Sequence, residues 1–175
     1  MEDDQLRALR TENRLLAARL LRLEQLLFRT TAILASAALI AGPFLPYLMA
    51  ADPDPDEDSS ISLVRSVIAL PDSGGGPYES EAMVVGVLMG IFVLCTAVTL
   101  ISMLVYASSN TERARFVTRV AAGILLAGSS SAWLLVLLLA EQWSPRVSNF
   151  SPASLVIGIG AVLTLVAAAI RPDPE

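Results

Sequence analysis

AMVVGVLMGIFVLCTAVTLISMLVYA, residues 82–107, contains no charged side chain. A hydrocarbon core about 30 Å thick needs roughly 20 helical residues to cross it. This run is long enough, and inside lipid an open chain satisfies its own backbone only as a helix. Three further runs, 31–51, 116–140 and 152–170, have the same character. Of the chain's 12 basic and 17 acidic residues, the four runs contain only Arg119. The reading is an all-α membrane protein with four transmembrane helices, divided into a leader (1–30), a four-helix region (31–170) and a tail (171–175).

Composition agrees. The 175 residues are 54% hydrophobic and 17% charged, and mean hydropathy is +0.63. A soluble domain sits nearer 45–50% apolar and about 25% charged. One globular core of this size would leave large apolar patches in water, and disorder requires low hydrophobicity. Core helices of a soluble protein would be shorter and striped. A cleaved signal peptide is disfavoured too, because the first apolar run exceeds the usual length of about 7–15 residues.

The boundaries carry helix-end chemistry. Ser80 before Glu81, Asn110 before Glu112, and Ser151 before Pro152 read as N-caps of spans two, three and four. Tyr47, Tyr106, Trp143 and Phe150 fall near span ends, where amphipathic rings favour the headgroup region. Pro43 and Pro46 are expected to kink or end span one.

Orientation is read from the arginines, since the chain has no lysine. Arg7, Arg10, Arg14, Arg19, Arg22 and Arg29 precede span one. Arg113, Arg115 and Arg119 lie between or just inside spans two and three, and Arg171 follows span four. The alternate loops carry Arg65 and Arg146 alone. By the positive-inside bias both termini are expected in the cytoplasm. Arginine without lysine, with abundant Ala, Leu and Val, suggests a GC-rich and bacterial source, which places the chain in a plasma (inner) membrane.

The leader reads as an interaction element. Residues 3–29 contain neither Gly nor Pro. Leu6, Leu9, Asn13, Leu16, Leu20, Leu23 and Leu27 recur at alternating spacings of three and four, a heptad seam with Leu6, Asn13, Leu20 and Leu27 at a and Leu9, Leu16 and Leu23 at d. One Asn at an a position favours an in-register parallel pair. In that register Arg19 at g faces Glu24 at e of a partner helix. The seam covers about three and a half heptads, near the shortest that pairs. Leu15, Leu21 and Leu26 widen the apolar face, so binding flat on an anionic leaflet is the competing expectation.

Small residues occur in every span. Gly86 and Gly90 have the spacing that lets two helices approach closely. Gly123, Ala127 and Gly128, then Gly158 and Gly160, and Ala38 with Gly42, read the same way. The expectation is bundle packing, with the Gly86–Gly90 face as a second protein-interaction surface. Ser129–Ser131 form the most polar patch at depth and are expected to bond backbone carbonyls or a neighbouring helix.

Much chemistry is excluded by what the chain lacks. It has no His and one cysteine, Cys95. This removes His-based triads and proton shuttles, as well as intrachain disulfides. No acid lies within a span, so proton-coupled transport has no carrier there. No phosphate loop or nucleophile elbow appears. Asp52, Asp54, Asp56, Glu57 and Asp58 begin an acidic outer loop (52–81). Its resemblance to an EF-hand fails, because Glu57 replaces the turn glycine and Leu63 the bidentate acid. Residues 61–70 read as a short helix or a strand, and 73–77 as a flexible return.

The expected function is therefore non-catalytic: an accessory, scaffold or assembly subunit of a larger membrane complex. Its partners would be the lipid bilayer and other membrane proteins, or a second copy through the leader. No cofactor, metal, nucleic acid or small-molecule substrate is expected. The alternative is a small oligomeric transporter or channel without proton coupling.

Overall fold

The computed structural model describes residues 2–49, 60–68, 79–109, 111–143 and 150–170, with side chains in 12–47, 62–65, 67–68, 87–109, 111–134, 137 and 150–170. In chain order the elements are α1 (Glu2–Ala41), a 3-10 turn (Gly42–Phe44), β1 (Pro46–Met49), β2 (Ser60–Ser62), α2 (Leu63–Ile68), α3 (Glu79–Ser109), α4 (Glu112–Trp143) and α5 (Pro152–Ile170). Four of the helices are long and apolar enough to cross a membrane. The chain is a multi-pass, all-α membrane protein.

The leader and span one form a single 40-residue helix, because nothing in 2–41 breaks it. The break comes at Gly42-Pro43, where the missing proline N–H and the ring clash end an α-helix. This corrects the expected end of span one at residue 51. The helix stops at Ala41, a 3-10 turn follows, and Pro46 opens a strand, a first position that tolerates proline. β1 pairs antiparallel with β2, matching Leu48 to Ile61 and Met49 to Ser60. Of the ambiguous 61–70 stretch, the described residues 61–68 are both things in turn. Strand β2 ends at Ser62, whose Oγ accepts the Arg65 N–H at 3.2 Å and starts α2.

The other caps are local corrections. Thr111 caps α4: its Oγ1 accepts the Ala114 N–H at 3.3 Å and its carbonyl accepts the Arg115 N–H at 3.0 Å. Asn110, the expected cap, lies outside the described residues. Ser80 lies within α3, one residue after its start at Glu79. Ser151 stands where expected, with its carbonyl accepting the Leu155 N–H at 3.2 Å. The acidic run 52–58, the segment 73–77, Arg146 and Arg171 also lie outside the described residues.

Packing places α5 between α1 and α4, with α3 against α4 and touching α1. Two buried clusters tie the bundle together. One holds Phe28, Met103, Tyr106, Ala167 and Ala168 near the arginine-bearing end. The other holds Leu39, Tyr47, Leu63, Phe92, Leu125, Ala153, Ile157 and Ala161 toward the end carrying the strands. In the first, the rings of Phe28 and Tyr106 meet edge to face with centroids 5.8 Å apart.

The distribution of side chains is that of a protein solvated by lipid. Thr96, Thr99, Ser102, Thr118, Ser154 and Thr164 are buried, whereas Leu88, Ile91, Leu94, Ile101 and Leu104 of α3 face outward. In water such an arrangement would expose apolar surface and bury polar groups at a loss. Lipid removes the penalty outside, and small or hydroxylated residues inside let helices approach. The bundle ends are uneven. α4 bonds α5 from Ser129 to the Ser154 carbonyl, so Ser129 lies near the start of α5 and toward the strand-bearing end.

Candidate functional site

Three places in the fold bear on function, and the first is the free face of α1. Asn13, Leu16, Leu20, Leu23 and Leu27 are all exposed, the four leucines by 51–59%. Leu15, Leu21 and Leu26 are equally open. Leu6 and Leu9 belong to α1, and their side chains lie outside the described residues. Among the described residues of α1, Phe28, Ala35 and Leu39 are buried. With 3.6 residues per turn, that bundle-facing stripe sits about 120° around the helix from the seam. From Phe28 to its start the helix runs about 40 Å past the inner cluster.

The second place is the set of glycines. A Cβ on Gly42 would overlap Cγ1 of Ile157, and one on Gly160 would lie 3.0 Å from Leu39. At Gly158 it would meet Ser129 Oγ at 3.0 Å. These glycines set the close approach of α1 to α5 and of α4 to α5. Gly90 and Gly123 have nothing within 4 Å. Gly90 thus faces away from the bundle; Gly86 lies in α3, and its surroundings are outside the described residues. The structure does not bring the Gly86–Gly90 face together with the leader seam.

The third place is the network of hydroxyls and arginines. Ser130 and Ser131 donate to the Leu126 and Ala127 carbonyls, both at 2.9 Å, and Ser129 donates to the Ser154 carbonyl at 2.5 Å. Thr96 and Thr99 donate one turn back, to Phe92 and Cys95. Among the described residues no buried side-chain nitrogen or oxygen lacks a hydrogen bond. An apolar groove of about 360 Å³ runs between α4 and α5, lined by Leu126, Trp133, Leu155 and Ile159 among others. The hydroxyls of Ser129 and Ser130 that reach it are already donated.

Several anchoring contacts were not evident from sequence. Tyr47 donates its hydroxyl to the Ala132 carbonyl at 3.1 Å and ties β1 to α4. Thr118 donates to the Ser102 carbonyl at 3.0 Å, joining α4 to α3. Arg115 Nε and Arg119 donate to the Ala168 carbonyl at 2.9 and 3.1 Å. That carbonyl belongs to the last turn of α5, where no intrahelical donor remains and positive charge is favoured. The signal was the i,i+4 spacing of the two arginines, which puts both on one face of α4.

Among the described residues, no group of three or more Cys, Asp or Glu is placed to hold a metal ion. Comparison with protein-family models, with curated proteins and with solved structures gives no match to this chain.

Proposed function

We propose that this chain is a non-catalytic accessory, scaffold or assembly subunit of a larger membrane complex, engaging its partner through the leader. One observation carries this reading. The leucine seam is exposed on a helix that runs without a break into the bundle, so whatever grips the leader is coupled rigidly to span one. A long row of half-exposed leucines beyond the membrane is unfavourable in water and marks an interaction surface. The bundle interior supports the same reading, because its hydroxyls are spent on its own backbone.

We further propose a bacterial plasma membrane with both termini cytoplasmic. The supporting feature is the bias of Arg7–Arg29, Arg113, Arg115 and Arg119 to one side. Purification of the tagged full-length chain from membranes in mild detergent, followed by mass spectrometry, tests the function. Stoichiometric recovery of a partner membrane protein or of a second copy is expected. A lone monomer that conducts solute when reconstituted would replace this reading with the channel. An alkaline phosphatase fusion after Pro71 is expected to be active, and an inactive one reverses the topology.

A further inference from the structure

Resting on the reading of the leader as an interaction element, we propose that its partner is a second copy of this chain. The two α1 helices pair in parallel and in register along a seam that continues from the leader into the membrane. The continuation is a structural finding. Past Leu27 the three-four alternation lands on Thr30, Leu34, Ala37 and Ala41, and all four are exposed. Leu34 is 59% exposed although it lies inside span one. Phe28, Ala35 and Leu39 meanwhile point into the bundle on another face. A second copy therefore reaches the seam without displacing α3 or α5.

Geometry selects the arrangement. Copies inserted with one topology present α1 helices that emerge parallel, and the bilayer holds their seams at one height. Antiparallel and strongly staggered pairings are removed before any side chain is considered. Confinement to the membrane also raises the effective concentration of one leader near another. In the parallel register Arg19 at g meets Glu24 at e of the partner helix, an attractive contact made twice by symmetry. Asn13 at a meets its own copy, and two facing amides satisfy each other only when the helices are in register. In the membrane half, Ala37 and Ala41 are small enough for close backbone approach.

The competing occupant is the membrane surface. To lie flat, the leader would have to turn sharply near Arg29, and sharp kinks arise at proline, glycine or inserted groups. No Pro or Gly occurs in 2–41, and α1 is helical throughout. Thr30 and Thr31 donate to carbonyls one turn back, which bends a helix gently. A straight helix also lets a strict heptad seam drift by about 20° per repeat, so pairing along the full length wraps the two helices left-handed.

The test uses the full-length chain in membrane vesicles. In a Cys95→Ala background, single cysteines replace Leu16, Leu20 or Leu23 on the seam, or Arg14, Ala18 or Gln25 off it, and a short bismaleimide is applied. Seam positions are expected to give the doubled-mass product about tenfold above the off-seam positions. Equal yields on all faces indicate collision and overturn the pairing. Seam-selective products of another mass overturn the second copy as partner but leave the accessory-subunit reading standing. No product of any mass overturns both. Asn13→Leu is expected to release the register and add higher-order products; an unchanged pattern overturns the register. Leu34→Cys, oxidised in the same vesicles, is expected to form disulfide-linked dimer and Ala38→Cys is not. Equal yields there overturn the continuation of the seam into the membrane.

Discussion

Replacing Gly42 by alanine tests how α1 and α5 are held together. The new methyl would overlap Cγ1 of Ile157 and sit 3.2 Å from its Cδ1. Ile157 is fully buried on α5. A β-branched side chain on a helix keeps one χ1 rotamer in about 90% of cases, so Cγ1 does not swing aside. Relief has to come from moving the end of α1 away from α5. That movement loosens Leu39 and Ala38 over Gly160, where contacts are already at 3.0 and 3.3 Å to an added Cβ. Overpacking of this kind costs about 1–3 kcal/mol. Ile157→Ala alone leaves a cavity and costs about 2–5 kcal/mol. Combined, the methyl introduced at position 42 occupies space that Ile157 vacated, and the double variant is expected to fall about 1–2 kcal/mol short of additive loss. Loss of helix on titration with a denaturing detergent, from mild micelles, measures all four corners of the cycle. Gly123→Ala is the control: nothing lies within 4 Å of its Cβ, and better helix propensity gives at most about 1 kcal/mol of gain. Additivity within about 0.5 kcal/mol, or a neutral Gly42→Ala, refutes the close α1–α5 approach.

Ser129→Ala is expected to destabilise the bundle by about 0.5–1.5 kcal/mol, because it breaks the bond from α4 to α5. Ser130→Ala and Ser131→Ala, which lose only bonds within α4, should unfold at the wild-type denaturant concentration. Thr111→Ala removes the cap of α4 and is expected to cost about 1 kcal/mol, whereas Asn110→Ala should have no effect on the same titration. Joint Arg115→Gln and Arg119→Gln substitution strips the Ala168 carbonyl of both donors; hydrogen exchange should accelerate over 165–170 and not in α3. Gly90→Leu should not lower the unfolding midpoint, since nothing among the described residues lies within 4 Å of its Cβ. Unchanged partner recovery with that variant would remove the Gly86–Gly90 face as a docking surface.

The four spans were legible because lipid leaves a crude and robust record: charge is excluded for about 20 residues at a time. The single helix from leader through span one was legible for a similar reason, the absence of any breaker before Gly42. For span one the sequence offered two ends, a break at Pro43 or Pro46 and the end of the apolar run at residue 51, and the helix takes the first. An apolar run continues to Ala51, and apolarity cannot distinguish a helix from the Tyr47-bearing strand that replaces it. Small residues were ambiguous in the same way. Gly42, Gly90, Gly123 and Gly160 look alike in a composition-rich helix. Only the neighbouring element reveals that Gly42 and Gly160 face α5 and α1 while Gly90 and Gly123 face outward. The role of the arginine pair depends on where α5 ends, and no local pattern in α4 encodes that. The seam residues from Asn13 to Leu27 were readable as a periodic set. Their continuation through Leu34 and Ala37 was hidden among apolar residues that all look lipid-compatible.

That continuation divides the energetics of α1 at the membrane boundary. With the leader read as lying outside the bilayer, burying the exposed half of a seam leucine contributes about 1 kcal/mol, since full burial is worth about 1.5–3. Inside, a leucine that leaves lipid for a neighbouring helix gains no hydrophobic free energy, so association there depends on close packing of Ala37 and Ala41. The driving force for pairing therefore resides in Leu16, Leu20 and Leu23, which are 51–59% exposed, and the span follows. Asn13 weakens the leader pair and in exchange restricts it to one register. With two helices joined at a fixed register, the Gly90-bearing faces of the two bundles are left pointing away from their own cores. On the assembly-subunit reading proposed above, no acid is required within the spans, since positioning other proteins moves no charge across the bilayer.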